Sequence, residues 1–382
     1  MGIDTFAHII QQGILPADRI AGRIASSKLK SILLMPTQLM IQGTPQTRPR
    51  IMNGTTLGHN ELLPCRLAVV VPCYRVGNQI ANVLKAIGPE VWRIYCVDDA
   101  CPEQSHRIVQ EIAAVDTRIR CLIHQRNMGV GAAVVTGYKQ ALQDGAEVIV
   151  KLDGDGQMDP TRIPELIKPI LRGEADYVKG NRFFHLDGLK SMPLLRLIGN
   201  AGLSFLSKMS TGYWTLFDPT NGYTAIHALV ARQLPLDKLS PRYFFESDIL
   251  FRLNTVCAVV TEVPMDACYG DETSSLNLIR TLAQFPLYHA RNLWKRILYN
   301  YFLRGFSMAS INLVGGLALL IFGVVFGMIK WIGGVEMNVL ASSGTVMLAA
   351  LPVIIGCEML LNFIAFDMAN IPHSPIHLRL HS

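Results

Sequence analysis

Residues Val148–Pro160 read VIVKLDGDGQMDP, and this stretch decides how the rest of the chain is interpreted. An apolar run stops at two aspartates separated by a glycine, and a glutamine and a third aspartate follow. The apolar run predicts a buried strand, and the glycine-rich part predicts a tight turn at its end. Carboxylate and amide oxygens on such a turn suit a hard divalent cation such as Mg²⁺ or Mn²⁺. The stretch therefore indicates a metal site at the end of a strand.

Two other interpretations of the turn compete with this one. A calcium-binding EF-hand loop also begins with D-x-D, but it needs glycine at its sixth position and glutamate at its twelfth. Counted from Asp153, those positions hold Met158 and Pro164, so the calcium loop is excluded. The second alternative, a solvated acidic turn, stays open when the turn is considered alone.

Strands and helical patterns alternate on both sides of this stretch. Further strands are predicted at four places: RLAVVVPCY, WRIYCVDD, RIRCLIH and ADYVKG. The alternation predicts an α/β fold with a mostly parallel sheet and helices on both faces. In such sheets ligands bind beyond the carboxyl ends of the strands. Asp98 and Asp99 end a second strand, so we expect them to face the same crevice as Asp153 and Asp155.

The last third of the chain contains two long apolar stretches. Residues 306–329 carry no charge, and residues 339–366 carry one, Glu358. Each stretch exceeds the roughly 20 residues that cross a bilayer as a helix. The segment before them, 290–305, has basic residues and no acidic one, so the positive-inside rule places the large N-terminal part in the cytoplasm. We expect an integral protein of the inner or plasma membrane with a two-helix transmembrane hairpin.

Composition and charge limit the class of partner. The 382 residues are 50% hydrophobic and carry a net charge of +6. Excess positive charge beside apolar stretches favours anionic lipid, and we find no pattern that indicates nucleic-acid binding. The eight cysteines form no C-x-x-C pair, which indicates reduced thiols in a cytosolic domain. Gly323 and Gly327 form a small-xxx-small pattern in the first apolar stretch, which is typical of close helix packing. We expect a homo-oligomer, because a two-helix hairpin has little protein of its own to pack against.

A set of motifs occurs in a consistent order between Leu67 and Leu253: VVVPCYRVGNQI, VDDACPEQS, NMGVGAAVVTGYKQA, KLDGDGQMDP, KGNRF, DPTNGY and FFESDILFRL. In these motifs the chain resembles family 2 glycosyltransferases of the Rossmann-like GT-A fold. More narrowly, it is similar to polyprenol-phosphate sugar transferases that carry a two-helix membrane hairpin. One departure is the loop after the second strand, where the common DDGS is replaced by Asp98-Asp99-Ala100-Cys101.

The resemblance implies a division of the chain into five parts. They are an extension at 1–62 that is either amphipathic or poorly ordered, a GT-A catalytic domain at 63–276, basic juxtamembrane helices at 277–305, two transmembrane helices at 306–366 and a cytoplasmic tail at 367–382. Residues 1–62 carry no pattern of a secretory signal.

The resemblance also assigns the donor and metal sites, residue by residue. The nucleotide sugar would be bound by Pro72, Tyr74, Asp98, Asp99, Gly129, Gly131 and Asp153. The metal, Mg²⁺ or Mn²⁺, would be held by Asp153, Asp155 and Gln157, where it offsets the charge that develops on the diphosphate leaving group. The two glycines would let a helix N-terminus approach the donor, although a helix that packs tightly on the sheet explains them equally well.

Catalytic and acceptor residues follow from the same resemblance. The catalytic candidates are Asp155, Glu246, Asp248 and Arg182. A phosphate monoester is largely dianionic at pH 7, since its second pKa is about 6, so it needs little help from a general base. Glu246 and Asp248 would then orient the donor or the metal-binding loop, and a helix-capping carboxylate is the alternative for Asp248. The acceptor phosphate would be bound by Arg182 and Arg196. The alternative for Arg182 is an internal salt bridge, and the alternative for Arg196 is a solvated position on a helix.

These assignments imply a membrane-bound inverting glycosyltransferase that moves a sugar from a UDP- or GDP-linked donor to a polyprenyl phosphate. One alternative is a processive polysaccharide synthase, but the chain lacks the Q-x-x-R-W motif of such enzymes. The other is a nucleotide-sugar-binding protein that has lost catalysis. The presence of Asp153, Asp155 and Gln157 argues against it.

Overall fold

The computed structural model describes residues 65–77, 79–182, 194–265 and 278–380. The extension expected at 1–62 lies outside these residues. The side chains at 194–201 and 278–283 also lie outside the described part, so the prediction for Arg196 does too.

The centre of the structure is a mixed β-sheet. Its strands are β1 Leu67–Cys73, β2 Arg93–Asp98, β3 Ile119–Ile123, β4 Val148–Lys151, β5 Tyr177–Asn181, β6 Thr224–His227 and β7 Val260–Pro264. The spatial order is β3-β2-β1-β4-β6-β5-β7. β1 to β4 are parallel to one another and β5 is parallel to β7, whereas β6 runs antiparallel between β4 and β5. The prediction of a mostly parallel sheet is confirmed, and β6 and β7 are additional to the five predicted strands.

Helices cover both faces of this sheet. They are α1 Ile80–Ala86, α2 Ser105–Ala113, α3 Val130–Gln143, α4 Ile163–Leu171, α5 Leu194–Thr211, α6 Ala228–Gln233, α7 Phe245–Thr255 and α8 Leu278–Leu298. α1, α2 and α4 contribute to one hydrophobic core, and α3, α6 and α7 contribute to the other. Val69 of β1 belongs to the first core and Val70 to the second, because successive side chains of a strand point to opposite faces. All seven residues of β1 are buried as a result.

The predicted acidic positions lie at the carboxyl edge of the sheet. Cys73, the last residue of β1, pairs with Asp98, the last residue of β2. β4 pairs with the other side of β1, so the turn that begins after Lys151 lies at the same edge. The strand register therefore brings the two acidic segments to one side of the sheet, as the sequence predicts.

Two long apolar helices follow the sheet domain, α9 Met308–Met337 and α10 Ser343–Ala369. In their most apolar 18-residue windows the mean hydropathy is 2.3 and 2.0, and only 11% of each window is buried. Apolar side chains that face outward on two helices of this length suit a lipid environment better than a soluble core. The chain thus has two helices that are long and apolar enough to form the predicted membrane hairpin.

Glycines allow the two helices of the hairpin to approach closely. A Cβ atom on Gly316 would lie 3.0 Å from the carbonyl oxygen of Gly356, and one on Gly323 would lie 2.7 Å from that of Ala349. A Cβ on Gly327 would lie 3.3 Å from the Cβ of Ala349. The small-xxx-small pattern therefore serves packing within one chain. The homo-oligomer expected from the small size of the hairpin stays a prediction.

A buried ion pair joins the end of the hairpin to the sheet domain. Asp367 of α10 accepts hydrogen bonds from both terminal nitrogens of Arg296 in α8, at 2.6 and 2.9 Å. It also accepts from the indole of Trp214 at 2.8 Å and the hydroxyl of Tyr301 at 2.5 Å. Arg296 and Asp367 are both buried. Four bonds to one carboxylate fix α10 against α8 and the loop after α5.

The chain then returns to the sheet and ends in α11, His377–Leu380. Asp176, just before β5, accepts hydrogen bonds from the backbone N–H groups of Val259, Ile376 and His377 and from the His377 ring, at 2.7–3.0 Å. Burial alone would raise the pKa of Asp176, but these hydrogen bonds outweigh it and lower the pKa. The His377 ring also stacks on His227, with 4.4 Å between centroids. The segment predicted as a cytoplasmic tail is therefore packed on the sheet domain.

Candidate active site

The acidic turn after β4 has a defined local structure. Asp155 Oδ1 accepts a hydrogen bond from the backbone N–H of Gln157 at 3.0 Å. Gly156, between them, has φ +78°, a left-handed conformation that favours glycine. Asp153 and Asp155 are half-buried, and the Gln157 side chain is exposed. The turn therefore presents two carboxylates at the edge of the crevice in a conformation set by its own backbone.

A buried lysine lies directly beneath this turn. The Lys151 ammonium group is 2.9 Å from Asp153 Oδ1 and 2.9 Å from Glu246 Oε1. It also donates a hydrogen bond to the carbonyl of Gly222 at 3.1 Å. Burial lowers the pKa of Lys151, but the charges of Asp153 and Glu246 outweigh it, so the pKa lies above its ordinary value. The structure thus brings Asp153 and Glu246 together around one cation.

A second buried lysine lies on the neighbouring part of the sheet. Lys151 of β4 and Lys179 of β5 both pair with Thr224 of β6, so the two side chains project from the same face. Lys179 donates to the carbonyl of Asn221 at 2.6 Å, and its ammonium group is 3.7 Å from Glu246 Oε2. Burial lowers the pKa of Lys179. Glu246 is therefore held between two lysines at the start of α7.

Asp98 and Asp99 are both buried, and each organises a loop. Asp98 accepts hydrogen bonds from the backbone N–H groups of Cys101 and His106, which fixes the start of α2. Asp99 accepts from the backbone N–H groups of Met128 and Gly129 at 2.8 and 2.7 Å. The contacts of both carboxylates explain how the altered loop at Ala100 and Cys101 is held. They give Asp98 and Asp99 a structural role beside the predicted nucleotide pocket.

Asp99 has one further partner that the sequence does not reveal. The His124 ring lies 2.8 Å from Asp99 through Nδ1 and 2.9 Å from the Thr136 hydroxyl through Nε2. This histidine follows β3, and its backbone N–H bonds to the carbonyl of Asp98. It links the loop after β2 to helix α3. A polar residue at the end of a predicted strand is the only signal that the sequence offers for it.

Gly129 and Gly131 make room for another part of the protein. A Cβ atom on Gly129 would lie 2.5 Å from the carbonyl oxygen of Pro241, and one on Gly131 would lie 2.2 Å from that of Ser240. The N–H of Ala132 donates to the Pro241 carbonyl at 3.0 Å. The start of α3 is therefore packed against the loop that leads into α7. Tight packing, the alternative to donor contact, is therefore present in the structure, and the contact of Gly129 and Gly131 with the donor stays a prediction.

Pro72 and Tyr74 lie at the end of β1 and just beyond it. Pro72 pairs with Val97 of β2, and its carbonyl oxygen would be 3.3 Å from a Cβ on Gly154 of the acidic turn. The Tyr74 ring is 41% exposed, and the Arg75 guanidinium lies 5.5 Å from its centroid. Tyr74 thus offers an accessible aromatic surface beside the acidic turn. Its predicted contact with the nucleotide remains a prediction.

Asp248 has a different environment from Glu246, although both lie in the first turn of α7. Asp248 is 1% exposed. Its carboxylate accepts hydrogen bonds from the Ser240 N–H and the Asn292 amide, each at 3.0 Å, and lies 3.3 Å from the Arg252 guanidinium. These contacts tie α7 to the preceding loop and to α8. Asp248 does not cap its own helix, because the N-cap residue is Phe244 and no side chain caps the first turn. A catalytic role for Asp248 remains a prediction.

Arg182 forms an internal ion pair. Its Nε and Nη2 atoms donate to the two oxygens of Asp218 at 2.8 and 3.1 Å. Asp218 is buried and begins the DPTNGY segment. Its backbone N–H and that of the preceding Phe217 donate hydrogen bonds to Glu262. The alternative that the sequence left open for Arg182 is therefore present in the structure.

The donor set of the turn fits a hard divalent cation that is completed by substrate. Among the described residues, no group of three or more His, Cys, Asp or Glu side chains is arranged to hold a metal. Mg²⁺ is commonly bound by one or two carboxylates together with phosphate oxygens and water. Asp153 and Asp155 supply two half-buried carboxylates, and Gln157 supplies an exposed amide beside them. These residues would hold a metal once a diphosphate provides the remaining ligands.

Comparison with known proteins identifies relatives of the sheet domain. Residues 68–234 match the family model described as glycosyl transferase family 2. The chain is 28% identical over 216 residues to UDP-N-acetylglucosamine–dolichyl-phosphate N-acetylglucosaminyltransferase of Methanococcus voltae, a match that covers 53% of this chain and 86% of the relative. It is 30% identical over 217 residues to an uncharacterized protein of Methanocaldococcus jannaschii, which covers 56% of this chain and 87% of the relative. It is 28% identical over 207 residues to undecaprenyl-phosphate mannosyltransferase of Micrococcus luteus. This match covers 52% of this chain and 82% of the relative.

Proposed function

Because the chain belongs to glycosyl transferase family 2, we propose that it transfers a sugar from a UDP- or GDP-linked donor to a polyprenyl phosphate at a membrane. The observation that supports the proposal most directly is that the acidic turn and the apolar hairpin belong to one domain. An acidic turn with a neighbouring carboxylate lies at the carboxyl edge of the sheet, and a long apolar hairpin is fixed to the same domain through Asp367 and Arg296. Relatives named for dolichyl and undecaprenyl phosphate support the lipid acceptor.

Asp153 and Asp155, with Gln157 as a further candidate, are the proposed ligands of Mg²⁺ or Mn²⁺. The cation would neutralise the nucleoside diphosphate that leaves when the sugar is transferred. Pro72 and Tyr74 are the proposed lining of the nucleotide pocket, in a position supported by Asp98 and Asp99. Glu246 faces the turn from α7, where its carboxylate would orient the donor sugar.

An acceptor phosphate is already a nucleophile at neutral pH, so the protein mainly has to position it. Attack on the face of the sugar opposite the diphosphate would invert the anomeric centre. Arg182 is the proposed contact for this phosphate, and it would have to share its guanidinium with Asp218. Arg196 is retained as a second candidate from the sequence alone.

The hairpin would place this site at the surface of the inner or plasma membrane, on the cytoplasmic side. A polyprenyl chain stays in the bilayer while its phosphate enters the crevice. The ion pair between Arg296 and Asp367 fixes the orientation of α10 against α8, so the crevice would keep a constant position relative to the bilayer.

The test uses the full-length protein purified in detergent. It is incubated with Mn²⁺ or Mg²⁺, a panel of UDP- and GDP-sugars, and either undecaprenyl or dolichyl phosphate, and the products are read by mass spectrometry. We expect one lipid-linked monosaccharide, and none when EDTA is added. A polymer would indicate a processive synthase instead. Binding of nucleotide sugar without any transfer would indicate the inactive binding protein.

A further inference from the structure

We propose that Lys151 is a positioning residue that holds the acidic turn and the start of α7 in one fixed arrangement. The proposal rests on the proposed function, because it concerns the same site. Lys151 is the last residue of β4, and its side chain is only 2% exposed. It would act on the reaction through Asp153 and Glu246, without touching the donor or the acceptor.

The contacts of Lys151 connect three separate segments of the chain. Its ammonium group is 2.9 Å from Asp153 in the acidic turn, 2.9 Å from Glu246 in α7 and 3.1 Å from the carbonyl of Gly222 in the loop before β6. An ammonium group has three N–H donors, and three acceptors surround it here. A single side chain thus sets the distance between a proposed metal ligand and the carboxylate proposed to orient the sugar.

The surroundings of Lys151 are shaped to admit it. A Cβ atom on Gly222 would lie 2.5 Å from the Lys151 nitrogen and 2.7 Å from Asp153 Oδ2. Any side chain at position 222 would therefore press on both members of this contact. Glycine at this position leaves the space that the lysine and the aspartate share.

Charge balance explains why a cation is needed at this point. Asp153 and Glu246 bring two carboxylates to one ammonium group at the edge of a buried region. Like charges repel strongly where water is excluded, so the two carboxylates would move apart without a cation between them. Lys179 does not replace Lys151, because it lies 3.7 Å from Glu246 and donates to Asn221. Lys151 is the residue that allows both carboxylates to stay at the site.

The first experiment compares Lys151→Met with wild type in the full-length protein. The nucleotide sugar that gives product in the panel serves to measure kcat and the donor KM. Calorimetric titration of UDP and of GDP in the presence of Mn²⁺ measures their dissociation constants. A misplacement of about 1 Å can cost about 100-fold in rate, so we expect kcat to fall by about 100-fold. The dissociation constant of the nucleotide with Mn²⁺ should rise by much less than kcat falls, because Asp153 is displaced but Asp155 and the nucleotide pocket are retained. An unchanged kcat, or a loss of binding that matches the loss of kcat, would overturn the proposal.

A matched control and a second variant accompany it. Lys139 of α3 is 43% exposed and forms an ion pair with Asp237, away from the acidic turn. Lys139→Met should behave as wild type in both assays, which separates the loss of any lysine from the loss of this one. Gly222→Ala keeps the lysine but displaces its ammonium group and Asp153, so it should lower kcat less than Lys151→Met does, again with a smaller effect on nucleotide binding than on kcat. If Lys151→Met does not fold, Gly222→Ala decides, and a wild-type kcat in Gly222→Ala would contradict the proposal.

A third measurement does not depend on catalysis. Hydrogen exchange read by mass spectrometry reports protection of the acidic turn, 153–158, and of the start of α7, 245–250. Lys151→Met should reduce protection in both segments together, and Lys139→Met in neither. Loss of protection in only one segment, or in none, contradicts the positioning role even if no lipid-linked sugar is ever detected. Failure of wild type to make lipid-linked sugar contradicts only the proposed function.

Discussion

Substitution of Gly131 by alanine tests whether the start of α3 is packed against the loop before α7. The added Cβ would lie 2.2 Å from the Ser240 carbonyl oxygen and 3.0 Å from the Cβ of Phe245. The first of these neighbours is backbone, so the loop before α7 has to move away from α3. Overpacking of this kind costs about 1–3 kcal/mol, and the higher helix propensity of alanine returns at most about 1 kcal/mol. We expect a net loss of about 1–2 kcal/mol.

For a domain of this size, 1 kcal/mol shifts the melting temperature by about 2–4 °C, so Gly131→Ala should melt about 2–8 °C below wild type. Its kcat should also fall, since the displaced loop leads directly to Glu246. Gly202 of α5 is the matched control, because it is exposed, lies inside a helix, and a Cβ added there would meet no atom within 4 Å. Gly202→Ala should raise the melting temperature slightly and leave kcat unchanged.

The measurement is thermal unfolding in detergent by intrinsic fluorescence, followed by donor and acceptor kinetics on the same preparations. If α3 instead presented its N-terminus to the donor, Gly131→Ala would weaken nucleotide binding and leave the melting temperature unchanged. That result would refute the packing argument and favour the interpretation in which the two glycines admit the donor.

Three further predictions concern other parts of the structure. Asp155→Asn should abolish transfer and weaken Mn²⁺ binding in calorimetry while the melting temperature stays unchanged, and activity that survives EDTA would contradict the metal role. Burial lowers the pKa of His289 to about 4, below its ordinary value of about 6.5, so its contribution to stability is complete above pH 6.5 and is lost as the pH falls towards 4. His289→Gln should therefore flatten the fall in melting temperature over that range. Asp367→Ala leaves Arg296 buried without a counter-charge and should cost about 3–5 kcal/mol, whereas Glu358→Gln, at an exposed position in the same helix, should cost almost nothing.

The strands and helices of the first half of the chain could be predicted because their patterns are local. β1 is a continuous apolar run, and α2 has apolar residues at helical spacing. β6 is different, because it has four residues and lies antiparallel between β4 and β5. Its antiparallel direction depends on how it pairs with strands that are distant in sequence, so the local sequence pattern cannot predict it. The same limit applies to His377, whose contact with Asp176 joins residues that are 201 positions apart.

The sequence could predict where the candidate site lies on the sheet. It could not predict the contacts within the site, because it does not show which donors bond to each carboxylate. Acidic residues follow β2 and β4 as expected, and Glu246 reaches the same edge from α7. The buried lysines could not be predicted, since a lysine in a strand pattern normally indicates an exposed face. Lys151 is buried because its acceptors come from distant segments, one of them 71 positions away. The hydrophobic pattern of a single strand carries no information about those distant partners.

The acidic residues of the site fall into two physical groups, and this division determines how mutations have to be interpreted. Asp98, Asp99 and Asp248 receive hydrogen bonds from backbone N–H groups, so each holds a loop in place. Asp153 and Glu246 instead contact the Lys151 ammonium group, each through one carboxylate oxygen. Removal of Asp99 would release the loop at Met128 and Gly129 and lower activity without any direct role in the chemistry. Loss of activity alone therefore cannot separate the two groups. A fall in activity at nearly unchanged melting temperature is expected for Asp153→Asn, because Glu246 still balances Lys151. Asp99→Asn should lower both, because an amide presents only one acceptor oxygen to three donors.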